Sequence, residues 1–391
     1  MKRAEAESLA HLTGQAARGV TRIAQDTQNA VTDRVYERLT PRIGPVAGPI
    51  HTIHRALTQH AYFWVHAGVE AAALAARVIT AARASGIGSI SDRPRGRATL
   101  AFVNGIRGDH LHREGSPLAL QMTLRHAGRD VAAEAGSLRT AYGRGHTRLA
   151  VFVHGLVETE DSWQYRSSAR WGSDGVSYGS RLHADLGYLP IWLRYNTGRT
   201  LAANGAALAA LLTRLVRAWP ATVEELVLVG HSMGGLVILT ALAQSDEAAS
   251  LPVRAAITLG APRHGSPLER HAHAIAQRTQ SVPPARWAHG ILRLRSEGIK
   301  DLHSGAGPTS LTLPPTVGQY AVLSTITPQA TSLVGARIGD GLVPVPARHT
   351  VDTAVLGGLH HLDLLNHPRV YERLTTWLAP APAAGTAVAA R

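Results

Sequence analysis

One ten-residue stretch restricts this chain more than any other: Leu226-Val227-Leu228-Val229-Gly230-His231-Ser232-Met233-Gly234-Gly235. Its first four residues are apolar, two of them β-branched, and read as a strand buried on both faces. Leu236, Val237, Leu239 and Leu242 follow as the start of a helix. Only a sharp strand-to-helix turn fits between the two. Gly230 and Gly234 stand where a side chain would collide with the strand or the helix. Such a turn lifts the Ser232 hydroxyl above the sheet edge and points a helix N-terminus at whatever lies over it. A bare G-x-S-x-G also arises as an ordinary glycine-rich turn. Flanked by strand and helix, it marks Ser232 as a candidate nucleophile.

A nucleophilic serine needs a base, a carboxylate that orients the base, and donors for the negative charge that develops. Upstream, residues 149–156 (LAVFVHGL) read as a strand ending in His-Gly, placed to supply a backbone donor. The Leu156 and Met233 amides are the expected oxyanion pair, and His154 is expected to hold the loop rather than react. Behind such an elbow the acid and then the base follow the serine in sequence. Residues 338–344 (IGDGLVP) and 359–365 (LHHLDLL) come after the seventh and eighth predicted strands. Both fall at the carboxyl edge of the sheet, where ligands bind in such folds. Asp340 is the candidate acid. Asp301, inside a predicted cap, and Asp352, inside the eighth strand, are the weaker choices. The base depends on register: His361 is favoured over His360, with His367 third.

The four motifs VHGL, GHSMGG, GDGLVP and HHLDLL together resemble the bacterial lipase and serine esterase branch of the α/β-hydrolases. They are also similar to esterases of the glycosylphosphatidylinositol inositol-deacylase type. The resemblance spans residues 148–378 and leaves residues 1–97 outside it. It implies an α/β-hydrolase fold: a mostly parallel central sheet flanked by helices, here with an N-terminal helical segment and a cap or lid insertion. It places the nucleophile on Ser232, the acid on Asp340, the base on His361 and the oxyanion donors on Leu156 and Met233. The implied reaction is hydrolysis of a carboxylic ester through an acyl-enzyme, without a cofactor. An acyltransferase or thioesterase would use the same triad. A non-catalytic, membrane-associated interaction protein is the reading from another class, and an intact triad stands against it. In some such lipases the aspartate two residues after the base ligates calcium. Asp363 has that place but no evident partner carboxylate, so a capping or hydrogen-bonding role is expected and no metal site.

The rest of the chain supplies the frame. Between the motifs, apolar runs near residues 99–103, 118–124, 148–153, 190–194, 225–229, 255–259, 320–326 and 351–356 alternate with helical segments, as in a doubly wound sheet. Leu201, Leu208, Leu211, Leu212 and Leu215 mark an amphipathic helix that Trp219-Pro220 ends. The catalytic domain is expected over 98–378, with a cap over about 263–319 because that stretch is too long for a simple crossover. Ile275, Trp287, Ile291 and Leu292 in that cap suggest an apolar acyl group. Residues 379–391 form an Ala/Pro-rich tail.

Residues 1–84 read as helical, with Val20, Ile23, Thr27, Val31 and Val35 on one face and a Pro/Gly turn over 41–49. Residues 85–97 read as a linker. Residues 104–110 are expected as a turn between the first two strands, Glu158, Glu160 and Asp161 as a solvated loop, and residues 194–198 as pocket wall. The formal charge is +13, with 20 Lys+Arg against 11 Asp+Glu in residues 1–150. No basic-aromatic motif accompanies it, so nucleic acid is not expected as a partner. Homo-oligomer or peripheral membrane contact through residues 1–84 is the use expected for the apolar stripe. No apolar run near the N-terminus resembles a secretory signal, and a cytoplasmic location, with peripheral membrane contact as the variant, is the corresponding expectation. Cysteine is absent, which excludes thiolate chemistry and disulfides.

Overall fold

The apolar runs assemble into one eight-stranded sheet in the order β2-β1-β4-β3-β5-β6-β7-β8. The computed structural model describes residue 91 and residues 94–263, 296–304, 313–330 and 332–379. The helices and turn expected over 1–84, most of the linker, most of the cap with its four apolar residues, and the tail beyond Ala379 lie outside the described residues. In chain order the elements are α1 (Pro94–Arg113), β1 (Thr123–His126), β2 (Arg129–Val131), α2 (Ala135–Tyr142), β3 (Arg148–Val153) and a 3-10 turn at Glu160–Gln164. Next come α3 (Ser167–Trp171), α4 (Tyr178–Leu186), β4 (Leu189–Arg194), α5 (Leu201–Ala218), β5 (Glu225–His231), α6 (Met233–Ala243) and α7 (Asp246–Ala249). The described chain closes with β6 (Val253–Leu259), α8 (Glu297–Ser304), β7 (Gly318–Thr325), α9 (Leu333–Ile338), β8 (Asp352–Gly357), a 3-10 turn at His361–Leu365 and α10 (Pro368–Leu378).

From β4 to β8 every neighbouring pair is parallel, and β1 alone runs against its neighbours β4 and β2. The residues of β5 alternate between two cores, as a central strand must. Leu226 and Leu228 pack with α5 and α6 on one face. Val227 and Val229 pack on the other with Tyr178 and Leu182 of α4 and Leu374 and Leu378 of α10. Register brings strand ends level: Val153 of β3 pairs Gly230, and His231 pairs Leu259 of β6. The loops that follow β3, β5 and β6 therefore leave the sheet at one edge, side by side.

Helix α5 begins where the Thr200 hydroxyl accepts the Ala203 amide at 3.1 Å and stops before Trp219-Pro220. It is long and apolar enough to cross a membrane by length and composition, but Leu208, Leu212 and Leu215 are fully buried within the fold.

Six of the predicted strands fall on β3–β8 within two residues at either end. The first does not. Residues 99–103 lie inside α1, and so do residues 104–110, expected as a turn. Residues 94–97, taken as linker, form the first turn of the same helix. Leu100, Ala101, Asn104, Gly105 and Gly108 of α1 are all buried at helical spacing, but much of this stripe is small or polar and hydrophobic periodicity misses it. A Cβ at Gly105 would overlap Val157 and one at Gly108 would overlap Asn196, so the helix axis approaches the site loops closely. The second expected strand, over 118–124, shrinks to β1, because Leu118 and Leu120 are held by Asn104 instead: Asn104 Nδ2 donates to the Leu118 carbonyl and its Oδ1 accepts the Leu120 amide. The short β2 had no signal in the sequence.

Candidate active site

Ser232 sits between β5 and α6 with φ 51° and ψ −121°, a left-handed conformation that a non-glycine residue holds only under constraint. The constraint is visible. The Ser232 amide donates to the Leu259 carbonyl at 2.8 Å, and the Gly235 amide donates to the Ser232 carbonyl at 3.1 Å. A Cβ at Gly230 would come within 2.5 Å of the Gly235 nitrogen, and one at Gly234 within 2.5 Å of the His154 oxygen. The two glycines are thus required by the approach of helix to strand and of elbow to the end of β3. Met233 opens α6, so its amide points from the helix N-terminus.

The loop after β3 closes against the elbow. An ideal Cβ on Gly155 would lie 3.1 Å from Ser232 Cβ. Neither the Leu156 nor the Met233 amide has a hydrogen-bond acceptor among the described residues. His154 is fully buried, stacks on Tyr195 at 4.6 Å and places Nδ1 2.9 Å from the Gly155 carbonyl. Burial lowers its pKa. It holds the loop, as expected. The segment expected to form pocket wall also braces this loop: Tyr195 Oη donates to the His154 carbonyl at 2.8 Å, and the Val157 amide donates to Thr197 Oγ1 at 3.3 Å.

Asp340 and His361 meet, although 21 residues separate them. The turn after α9 bends at Gly339, φ 61°, and the Asp340 carboxylate is 1% exposed. Its Oδ1 accepts the amides of Leu342 at 2.9 Å and Val343 at 2.8 Å. Its Oδ2 accepts His361 Nδ1 at 2.7 Å, while the His361 amide donates to the Asp340 carbonyl at 3.1 Å. Burial pulls the His361 pKa down, but the Asp340 charge, its hydrogen bond and the Glu158 charge outweigh this and leave it raised. The His361 ring also lies against Gly260, where a Cβ would be 3.1 Å from Nδ1 and Cε1. Among the described residues no hydrogen bond joins Ser232 Oγ to the imidazole. Such bonds often tighten only when substrate is bound.

The competing residues are elsewhere. His360 is half-exposed and its Nε2 pairs with Asp363 Oδ2 at 3.2 Å. His367 caps α10 by accepting the Arg369 amide. Asp301 accepts the Leu201 amide at 2.7 Å, and Asp352 accepts Trp377 Nε1 at 3.1 Å. Asp363 accepts the His360 amide at 3.1 Å and pairs with Arg170, the capping and hydrogen-bonding role expected of it. Among the described residues no group of three or more His, Asp or Glu side chains could hold a metal ion.

Here too an expectation is overturned. Glu158 and Glu160 are not a solvated loop. Glu160 accepts Arg125 Nε at 2.9 Å and Arg194 Nε at 2.8 Å in the interior. Glu158 pairs with His231 Nδ1 at 2.9 Å and accepts the Gly155 amide at 2.7 Å. Burial alone would raise the Glu158 pKa, but His231 and the Gly155 amide hold it low. Only Asp161, 43% exposed, faces water, and it pairs with Arg97.

Residues 150–329 match the family described as "PGAP1-like alpha/beta domain". No curated protein sequence matches the chain. Solved structures are similar at low identity. A lipase-esterase related protein of Clostridium acetobutylicum shares 13% identity over 66% of this chain and 100% of its own, with a TM-score of 0.36. An esterase of Pyrococcus furiosus shares 13% over 60% and 82%, TM-score 0.37. Phospholipase PlaB of Legionella pneumophila shares 15% over 60% and 63%, TM-score 0.37. The eight-stranded, mostly parallel sheet flanked by helices has the α/β-hydrolase fold, and residues 150–329 within it are similar to the PGAP1-like alpha/beta domain.

Proposed function

We propose that the protein is a serine hydrolase that cleaves carboxylic esters through Ser232, His361 and Asp340. The observation that carries this reading is the buried Asp340–His361 hydrogen bond of 2.7 Å, brought to the same sheet edge as a serine in a strained strand-to-helix turn. His361 takes the Ser232 proton as the hydroxyl attacks the ester carbonyl. Asp340 keeps the imidazole in the tautomer that leaves Nε2 free to accept, and stabilises the imidazolium that forms. The carbonyl oxygen becomes an oxyanion against the amides of Leu156 and Met233. Loss of one such donor typically costs about 2.7–4 kcal/mol in the transition state. His361 then protonates the departing alkoxide, and water, deprotonated by the same base, releases the acid from the acyl-enzyme. The chain's own side chains supply every proton transfer, so the reading calls for no cofactor.

The substrate proposed is an ester with an apolar acyl group. A p-nitrophenyl ester series of graded chain length measures that preference. A fluorophosphonate probe tests the nucleophile: it should attach to Ser232 in the folded protein, and a folded chain left unlabelled would refute the reading. Thioesters and an alcohol acceptor in the same assay separate hydrolysis of oxygen esters from thioesterase and acyl-transfer activity.

A further inference from the structure

His231 is the residue just before the nucleophile. It is fully buried, and the reaction proposed above gives it no proton to carry. Both of its ring nitrogens face acceptors. Nδ1 lies 2.9 Å from Oε1 and 3.2 Å from Oε2 of Glu158. Nε2 lies 3.2 Å from the carbonyl oxygen of His361. A carbonyl oxygen only accepts, and a neutral imidazole can donate from one nitrogen only. If His231 were neutral, a ring lone pair would face one of these oxygens with no proton between them. Glu158 is an unsuitable donor, because the Gly155 amide at 2.7 Å and the neighbouring His231 hold its pKa low against burial and keep it a carboxylate, which only accepts. The remaining arrangement has both His231 nitrogens donating, an imidazolium paired with a carboxylate.

The partners of this pair span the site. Glu158 belongs to the loop after β3 and grips it through the Gly155 amide, next to the proposed oxyanion donor Leu156. His231 ends β5 and is bonded to Ser232. Through Nε2 it also holds the backbone of His361, whose ring is 4.8 Å from its own. Among the described residues the other titratable groups facing it leave it no second counter-ion. His154, at the end of β3, is held toward the neutral form by burial, and the Asp340 carboxylate is taken by His361, Leu342 and Val343.

We propose that the buried Glu158–His231 ion pair is the positioning element that fixes the oxyanion loop and the His361 backbone relative to Ser232. The proposal rests on the catalytic reading above for its kinetic consequence but not for the ion pair itself. The two Glu158 oxygens serve two close donors, the Gly155 amide and His231 Nδ1, with the Ser162 hydroxyl farther off at 3.4 Å. In Glu158→Gln the single amide oxygen satisfies one of them, and either the Gly155 amide or His231 Nδ1 loses its acceptor. Substrate contacts are untouched, so the loss should fall on turnover rather than on KM.

Two measurements on the full chain test this. In nitrogen-15 spectra of histidine-labelled protein, the His231 ring signals are those lost in His231→Gln and shifted in Glu158→Gln. In the folded wild type both ring nitrogens should read as protonated. One bare ring nitrogen would overturn the ion pair. In kinetics on a short p-nitrophenyl ester, Glu158→Gln should lower kcat roughly ten- to a hundredfold, the scale of one buried donor left unpaired, with KM within about threefold. The double variant Glu158→Gln/His231→Gln should lose no more than the worse single variant, as residues acting as a unit do. An unchanged kcat in Glu158→Gln, or losses that multiply in the double variant, would overturn the positioning role. If the wild type neither turns over esters nor takes the fluorophosphonate, the catalytic reading and the positioning role fall together, and the ring-nitrogen spectrum still decides the ion pair.

Discussion

Asp340 grips His361 twice: its Oδ2 accepts the imidazole Nδ1 at 2.7 Å, and its backbone carbonyl accepts the His361 amide at 3.1 Å. The side chain therefore meets a ring whose main chain is already fixed to the same residue. Two amides, from Leu342 and Val343, hold the other carboxylate oxygen. This doubly anchored contact makes Asp340→Asn a sharp test. The amide keeps the shape but can present Nδ1 with a donor, favouring the wrong tautomer. In the best-studied triad this change costs roughly 10⁴-fold in kcat, and a comparable fall is expected here. Asp301→Asn and Asp352→Asn, whose carboxylates are committed to Leu201 and Trp377, should retain most of their turnover. A larger loss at either than at Asp340 would move the acid.

Ser232→Ala should reduce ester hydrolysis to background and abolish fluorophosphonate labelling. Nucleophile loss costs about 10⁶-fold in a well-studied serine protease, so residual activity above roughly a percent of wild type would mean another nucleophile. The melting temperature should barely move, since the methyl group keeps the packing of the elbow and only the hydroxyl is lost.

Activity should rise with pH along an acid limb set by His361, because the protonated imidazole cannot accept the serine proton. Burial lowers its pKa, but Asp340 and Glu158 together raise it above the ordinary value of 6.5. The midpoint in kcat/KM is therefore expected above 6.5, and Asp340→Asn, which removes the largest raising influence, should shift it down. The same group ties stability to pH. Its folded pKa exceeds the unfolded one, so the stabilisation is complete below the unfolded value and fades as pH rises through the folded one. A wild-type acid limb centred at or below 6.5 would contradict this assignment.

Glu160→Ala should destabilise the domain without altering its chemistry. Arg125 and Arg194 are 2% and 3% exposed and share this carboxylate. Arg125 keeps Asp130, whereas Arg194 has no other carboxylate among the described residues. Breaking a buried pair costs about 3–5 kcal/mol, which corresponds to a fall in melting temperature of roughly 10 °C for a domain of this size. Thermal denaturation measures it, and a shift of only a degree or two would mean that water replaces the lost contact.

How much of this was readable beforehand follows from which contacts are local. The six strands β3–β8 lie in continuous apolar runs, and burial on both faces of a parallel strand demands such runs, so composition along the chain reveals them. The elbow is local as well: Gly230, Ser232 and Gly234 are close in sequence, and their steric requirement acts within one turn. The order of serine, acid and base then left few candidates, although only the Asp340 contact separates His361 from His360, one residue away. The tertiary structure decided the rest. Residues 99–103 have a strand-like composition but form part of α1, where Gly105 and Gly108 fit against Val157 and Asn196 and Asn104 holds Leu118 and Leu120 ahead of β1, and no local pattern reports that fit. Glu158 and Glu160 have the composition of a solvated turn. They are buried because His231, Arg125 and Arg194 converge on them from elements 34 to 73 residues away, and a charge that depends on a distant partner for its burial carries no mark of it in its own stretch of sequence.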